Sequence, residues 1–460
     1  MQKALEIDPE FAMAHRSVAM SHSNLGHRPA KRKALEKAFE LIDRVSERER
    51  YLIEAEYYRL LESTWDKAKE AYEKLLKLYP DDVIANTNLG FLYFDLEEYE
   101  KAIEFTEIVI KAYPEGFIAY WNLIETYEAM GLYEKAHETI EDYLKNNPDD
   151  RRFHRKQAIV YLYEGKYDLA LAKLEKVLSL NPDEKLDITI LRGITHMLRG
   201  DLVRAELEFK KIPETSGARR HNLIMLFLLK GKFEEVENMM RQKPVMKEAL
   251  ATFYLGAGNP EEALKGFEKV WSDAAKAESL YWQIRTLHLK GLAYTKMQSI
   301  DEALRTAVEL KDLIQKAMNK KYIRYYYHLM GMIELESKNF SKAIKFLTKA
   351  RDLLYAPNEN FPEYNPFFTY FLAEALYKAE NLEKAQREYE NIISLALGRL
   401  NSGDFYAKSF YMLGKIFEEK GQEQKSIENY EKFLDLWKNA DPGIPEVEDA
   451  EKRLAALKSQ

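Results

Sequence analysis

The chain has 460 residues, with 69 Lys and Arg against 76 Asp and Glu, which gives a formal net charge of -7. This balance disfavours a role in nucleic-acid binding, because such proteins use a basic excess to displace the counterions of phosphate. The sequence contains no Cys, so disulfides, thiolate metal ligands and a cysteine nucleophile are all excluded.

The first residues run directly into helical sequence, without the apolar stretch of a signal peptide. The longest apolar run, residues 223–229, is far shorter than the roughly 20 residues of a membrane helix. No membrane partner is therefore expected within this chain. Met1 falls in the second helix of a repeat that ends at Pro9, so we expect the natural chain to begin earlier. We favour the cytoplasm; a periplasmic location would require a membrane segment before this fragment.

Between residues 49 and 182, four sequence positions recur with a fixed period. This period is the 34 residues that separate Pro80 from Pro114. A proline ends the second helix of each repeat, an alanine allows close helix contact, and two aromatic positions supply the core. A pair of helices cannot bury its apolar stripes alone, so the repeats must stack. The recurring residues are Pro80, Pro114, Pro148 and Pro182; Ala68, Ala102, Ala136 and Ala170; Trp65, Tyr99, Tyr133 and Tyr167; and Tyr93, Tyr127 and Tyr161.

This pattern resembles the tetratricopeptide repeat, a helix–turn–helix unit of about 34 residues. The resemblance implies an all-α fold, namely an alpha-alpha superhelix of about ten to eleven helix–turn–helix repeats that ends in a capping helix.

Later in the chain the period of the repeats changes. Gly200, Gly231 and Gly258 mark interhelical turns at shorter spacing, and Gly291, Gly331, Ala373 and Gly414 then follow at longer, nearly even steps.

The period predicts four segments along the chain. Residues 1–214 form an N-terminal array with the period of the tetratricopeptide repeat, and residues 215–275 carry short irregular repeats. Residues 276–442 form a C-terminal array with the longer period that begins at Gly291. Residues 443–460 form the capping helix, since Pro445 suits a first helical position and the following carboxylates complement the helix dipole.

The common catalytic motifs are absent from the sequence, including H-E-x-x-H, the P-loop, G-x-G-x-x-G and G-x-S-x-G. The nine histidines are scattered along the chain. His15 and His22, on one helix, are too far apart along its axis to share one metal ion. We therefore expect no enzyme activity, no metal site and no cofactor.

Resemblance to the family implies that the first helix of each repeat lines a concave face. Asparagine amides there can bond the backbone of an extended peptide, and aromatic rings offer rigid contact area. The lining then turns basic, which would suit an acidic segment or a free carboxylate. The alternative is that the aromatic residues belong partly to the core and that the basic run is a solvated face. The predicted protein- or peptide-binding residues are Asn88, Phe91, Phe94, Trp121, Asn122, Arg152, Arg155 and Lys156.

Asn122, Arg152 and Lys156 match places in the carboxylate clamp of chaperone-binding tetratricopeptide domains. Thr87 and Phe91 stand where that clamp has Lys and Asn, so two of its five residues are missing. The C-terminal array carries a second candidate groove, although aromatic residues at helical spacing are more often core. Its predicted residues are His288, His328, Tyr370 and Tyr411.

These observations predict a non-catalytic scaffold that binds a protein or an extended peptide. Residues 46–55 and 433–446 resemble parts of bacterial multidomain Ser/Thr protein kinases and related regulators, which implies the interaction or sensory region of a larger signalling protein. One alternative is a ligand-sensing superhelix that regulates an attached kinase or transcription domain. Another is RNA recognition by helical repeats, which the acidic charge and the lack of a repeated base-reading pair disfavour.

Overall fold

The computed structural model describes residues 2–242, 247–354, 365–400 and 402–459, and every regular element in these ranges is helical. Most consecutive α-helices pack against each other, as the repeat pattern predicted. The predicted fold class, an all-α alpha-alpha superhelix of tetratricopeptide type, is confirmed. The α-helices are α1 (Gln2–Ile7), α2 (Ala12–Asn24), α3 (Arg28–Glu40), α4 (Glu47–Tyr58), α5 (Trp65–Leu78), α6 (Val83–Asp95), α7 (Tyr99–Ala112), α8 (Phe117–Ala129), α9 (Tyr133–Asn146), α10 (Arg151–Tyr163), α11 (Tyr167–Leu180), α12 (Lys185–Arg199), α13 (Leu202–Lys211), α14 (Gly217–Leu229), α15 (Phe233–Arg241), α16 (Lys247–Gly256), α17 (Pro260–Lys276), α18 (Leu280–Lys296), α19 (Ile300–Lys316), α20 (Ile323–Glu336), α21 (Phe340–Asp352), α22 (Asn365–Lys378), α23 (Leu382–Ser394), α24 (Gly403–Glu419), α25 (Glu423–Leu436) and α26 (Pro445–Lys458).

The pair α6 and α7 shows how the sequence builds one repeat. Asp82 caps α6 by accepting a hydrogen bond from the backbone N–H of Ala85 at 2.9 Å. Gly90 faces α7 so closely that a Cβ there would meet the hydroxyl oxygen of Thr106 at 3.3 Å. Small residues at this position therefore let the two helices approach, and the buried Leu89 supplies part of the shared core.

Residues in the left-handed backbone region separate the two helices of several repeats. Gly200, Gly231 and Gly258, which the sequence placed at interhelical turns, all have positive φ. The corresponding turn between α6 and α7 uses Glu97, with φ of 57°. A non-glycine residue is uncommon in this conformation, so surrounding contacts must hold it there.

Packing divides the chain into two compact units, which we describe separately. Unit 1 comprises Met1–Thr126, Asp273–Ile284 and Asp312–Tyr322, and unit 2 comprises Tyr127–Ser272, Arg285–Lys311 and Ile323–Gln460. These units follow contacts rather than repeat length. The four-part division by period therefore stays a prediction about sequence repeats.

In unit 1, two segments from later in the chain pack on the N-terminal repeats. The Glu62 carboxylate accepts a hydrogen bond from the backbone N–H of Tyr281 at 2.7 Å, at the start of α18. Burial raises the pKa of Glu62. The side-chain amide of Asn319 donates to the Asp95 carbonyl and to a Glu97 carboxylate oxygen, both at 3.2 Å. We call these the return contacts of unit 1, and they hold the turn that contains Glu97.

Unit 2 contains comparable contacts between distant segments. Leu397, which precedes α24, is buried in a cluster with Leu162, Ala170 and Leu198. The backbone N–H of Asp441 donates to the Gly231 carbonyl at 3.1 Å. Residues near the end of the chain thus complete the packing of helices in the middle of it.

The predicted C-terminal capping helix is present as α26. Ala450 and Leu457 are buried, as expected for the side of a cap that covers the last repeat. The Asp449 carboxylate accepts a hydrogen bond from the Tyr411 hydroxyl at 2.8 Å. Among the helices of the described ranges, none is long and apolar enough to cross a membrane.

Candidate interaction surface

Helix α6 and the part of α8 that belongs to unit 1 each leave apolar residues open to solvent at equivalent repeat positions. On α6, Ile84 and Phe91 are each 37% exposed, and Asn88 lies between them on the same face. On α8, Ile118 is 49% exposed and Asn122 is half-buried. Ile84 and Ile118, like Asn88 and Asn122, are one repeat period apart and hold the same repeat position. We call this face the N-terminal stripe, formed by Ile84, Asn88, Phe91, Ile118, Trp121, Asn122 and Glu125.

Several polar groups of the N-terminal stripe already have partners within unit 1. The Asn88 side chain hydrogen-bonds the hydroxyl of buried Tyr72, and burial raises the pKa of that phenol. The Trp121 indole N–H donates to a Glu125 carboxylate oxygen at 2.7 Å. The Asn122 carbonyl accepts a hydrogen bond from a hydroxyl one turn along α8. The Asn88 side chain is thus held by Tyr72, and the proposed contact of both asparagines with a peptide backbone stays a prediction.

Phe94, the fifth predicted residue of unit 1, lies deeper than the stripe. It is half-buried, and its ring packs at 5.5 Å from the ring of buried Tyr99. Phe94 therefore contributes to the core between α6 and α7, which is the alternative that the sequence left open for some of the aromatic residues.

The apolar rim of this surface is the feature that sequence reasoning missed. Ile84 and Ile118 are the second residues of their helices, at the same repeat position, and Val83 and Phe117 precede them with 36% and 37% exposure. The signal was present, because apolar residues recur in both repeats at a position that the family resemblance placed on the concave face.

The three predicted basic residues lie in unit 2, and each faces a carboxylate. Arg152 pairs with Asp150 at 2.6 Å, and Arg155 pairs with Asp187 at 3.1 Å. Lys156 is buried, and its ammonium lies 2.6 Å from a carboxylate oxygen of Glu128. The positive charge of this set is thus compensated inside the unit, and a partner carboxylate would have to compete with these internal ones. Asn122, which completes the match to the carboxylate clamp, belongs to unit 1.

The second predicted groove lies in unit 2, where its residues are largely enclosed. His288 and His328 are buried, and Nε2 of His288 lies 3.0 Å from Nδ1 of His328. The ring of Phe368 packs at 4.4 Å from that of His328. Tyr370 is half-buried and Tyr411 is buried. A ligand would reach the two histidines only after aromatic rings move, so their role in a groove stays a prediction.

Because His288 and His328 are buried, we expect the free energy of unfolding of the chain to fall at acid pH. Burial lowers the pKa of His328 to about 3, and burial together with His328 and Arg285 lowers that of His288. As the pH falls below the unfolded pKa of about 6.5, the unfolded state gains protons that the folded state does not. For one such histidine the free energy of unfolding should drop by about 2 kcal/mol at pH 5.

Urea denaturation between pH 7.5 and pH 4.5 tests this expectation. The variant His328→Gln should lose part of the pH dependence of the unfolding free energy, because one buried imidazole is gone. The matched variant His27→Gln, at an exposed position, should keep the wild-type slope. An equal slope in the wild type and His328→Gln would contradict the prediction.

Comparisons with models of known protein families identify repeats in two parts of the chain. Family models described as tetratricopeptide repeat match residues 59–124, residues 122–184 and 155–218, and residues 407–436. None of the curated proteins matches the chain.

In the described ranges no group of three or more His, Asp or Glu side chains could hold a metal ion.

Several solved structures are similar to this chain. A crystal structure of MamA is 25% identical, with a TM-score of 0.28, over 32% of this chain and 85% of that chain. The hetero-tetramer Cut9–Hcn1 of the APC/C is 14% identical, with a TM-score of 0.34, over 98% of this chain and 91% of that chain. A tetratricopeptide repeat protein from Parabacteroides merdae is 16% identical, with a TM-score of 0.30, over 67% of this chain and 99% of that chain.

The repeat models agree with the helix pairs described above. The chain carries tetratricopeptide repeats over residues 59–218 and 407–436. Stacked repeats of this kind present extended binding surfaces, so the chain has the architecture of a protein-interaction scaffold.

Proposed function

We propose that the chain holds a segment of a partner protein on the N-terminal stripe and catalyses no reaction itself. The observation that carries this proposal is the exposure of the same apolar position, Ile84 and Ile118, on the first helices of two consecutive repeats. Scattered single apolar residues are normal on a surface, whereas apolar positions that repeat on one face offer a continuous contact area.

The chemistry of the stripe suits a protein segment. Full burial of one Ile or Phe side chain stabilises a complex by about 1.5–3 kcal/mol before the costs of association are subtracted. Phe91 and Trp121 supply rings that lose little conformational entropy on binding. The two asparagines add donors and acceptors that match peptide groups without requiring a particular sequence.

Site-specific photo-cross-linking tests the proposal directly. A benzophenone amino acid in place of Phe91, in the full chain expressed in cells of the source organism, should give a covalent adduct with a discrete partner. The matched position is Leu207 on α13, which is 57% exposed and belongs to unit 2. We expect no adduct, or a different one, from Leu207. The same adducts from both positions, or none from Phe91, would contradict the proposal.

We also propose that this scaffold serves a larger signalling protein as its interaction or sensory region. The resemblances of residues 46–55 and 433–446 to bacterial kinases and regulators support this proposal. An antibody raised against the chain should then detect, in cells of the source organism, a polypeptide well above 54.0 kDa. A native polypeptide of 54.0 kDa would contradict it.

A further inference from the structure

The helices of the N-terminal stripe carry only negative charge. Residues 79–95 and 113–126, which comprise α6, most of α8 and the loops before them, contain no Lys, Arg or His. Their five carboxylates are those of Asp81, Asp82, Asp95, Glu115 and Glu125.

Two of these carboxylates are balanced by cations from elsewhere in unit 1. The Arg48 guanidinium lies 2.8 Å from Asp82, and the Arg59 guanidinium lies 2.6 Å from Asp95. Asp81 and Glu115, in contrast, are exposed at equivalent ends of the two loops that lead into α6 and α8. The exposed charges that the two loops themselves contribute beside the apolar residues are therefore negative, which favours cations near Asp81 and Glu115.

The rim of the same surface is apolar in both repeats. Tyr79 and Tyr113, which are 44% and 52% exposed, precede the two helices at equivalent positions. Together with Ile84 and Ile118 they form two matching apolar sets with carboxylates beside them. Such a surface complements side chains of two kinds, namely apolar anchors and the flexible cations of Lys or Arg.

We infer that the segment held by the N-terminal stripe is cationic, with apolar side chains interspersed with Lys or Arg. This inference rests on the proposed function and reverses the sign of charge that the sequence pattern suggested for the partner. The basic residues behind that earlier expectation belong to unit 2, where carboxylates of the same unit compensate them. The charges that α6, residues 117–126 of α8 and the loops before them carry themselves are negative, which disfavours an acidic segment.

Peptide selection on the full chain tests the sign of this charge. A phage-displayed library of random dodecapeptides is selected on the wild type and in parallel on the double variant Ile84→Ala/Ile118→Ala. Both replacements are at exposed positions, and circular dichroism should show unchanged helicity. Among peptides enriched on the wild type and lost on the double variant, we expect a net positive charge and Lys or Arg next to Leu, Ile, Phe or Trp.

The outcomes separate this inference from the proposed function. Peptides that depend on Ile84 and Ile118 but are neutral or acidic would overturn the cationic partner and leave the binding surface in place. If no peptide distinguishes the wild type from the double variant, the N-terminal stripe is not a peptide site, and both proposals fail.

A charge variant then measures the electrostatic contribution. For a synthetic copy of one recovered peptide, Asp81→Asn/Glu115→Gln should weaken binding about tenfold in a fluorescence anisotropy titration at low salt. The matched variant Glu104→Gln/Glu107→Gln removes two exposed charges from α7, and we expect wild-type affinity from it. Equal affinities for all three proteins would overturn the electrostatic argument.

Discussion

Replacement of Lys156 by Ala should destabilise the chain by about 3–5 kcal/mol, although the residue was predicted as part of a binding surface. Its ammonium lies 2.6 Å from a Glu128 carboxylate oxygen, and the two side chains are only 6% and 1% exposed. The variant removes this cation from a carboxylate that water does not reach. Chemical denaturation should show the loss, and hydrogen exchange should locate it in α8 and α10.

Two further variants separate the buried pair from ordinary surface charge. The double variant Lys156→Met/Glu128→Leu removes both charges and should recover most of the lost stability. Lys145→Ala breaks the pair with Asp142, whose side chains are 72% and 56% exposed, and should cost at most about 1 kcal/mol. If Lys156→Ala behaves like Lys145→Ala, the ion pair does not stabilise unit 2 as the geometry indicates.

The variant Trp437→Ala should cost a similar amount, about 3–5 kcal/mol, because it opens a large cavity in unit 2. Trp437 is fully buried, and its ring packs against those of Phe433 at 4.9 Å and Phe233 at 5.7 Å. Since Phe233 begins α15, far earlier in the chain, the loss should appear as faster hydrogen exchange in α15 as well as in α25. Unchanged exchange in α15 would contradict this packing.

Two glycines provide a matched test of the same contact. Gly231 and Gly421 both have positive φ, so alanine is strained at either position. A Cβ at Gly231 would also meet the Trp437 ring at 2.9 Å, whereas one at Gly421 would meet nothing within 4 Å. Gly231→Ala should therefore lower the denaturation midpoint clearly more than Gly421→Ala does. Equal midpoints would show that the tryptophan moves aside at little cost.

The repeat fold could be predicted from the sequence because its rules are local. A proline that recurs with each repeat ends a helix in each of them. A glycine or alanine at the close contact lets the two helices of each repeat approach. The helix pair α6 and α7 and the capping helix α26 follow from such positions. The repeat positions also predicted which residues of α6 and α8 would line a binding surface, namely Asn88, Phe91 and Asn122 among others.

The contacts between distant repeats could not be predicted in this way. A period describes how each repeat meets the next, whereas the pairing of Glu62 with Tyr281 joins residues 219 positions apart. Nothing in the pattern around Lys156 distinguishes a solvated cation from a buried one, because the difference lies in where Glu128 is placed. The turn at Glu97, a non-glycine residue with positive φ, is held by Asn319 from one of these later segments.

The return contacts of unit 1 have a consequence for the way the protein is made. Tyr281 and Asn319 follow their partners Glu62 and Asp95 by 219 and 224 residues. At synthesis rates of roughly 5–20 residues per second, the N-terminal repeats wait on the order of 10–45 s before these partners leave the ribosome. During that interval the nascent repeats can stack on one another while the surface that Tyr281 and Asn319 later contact stays uncovered.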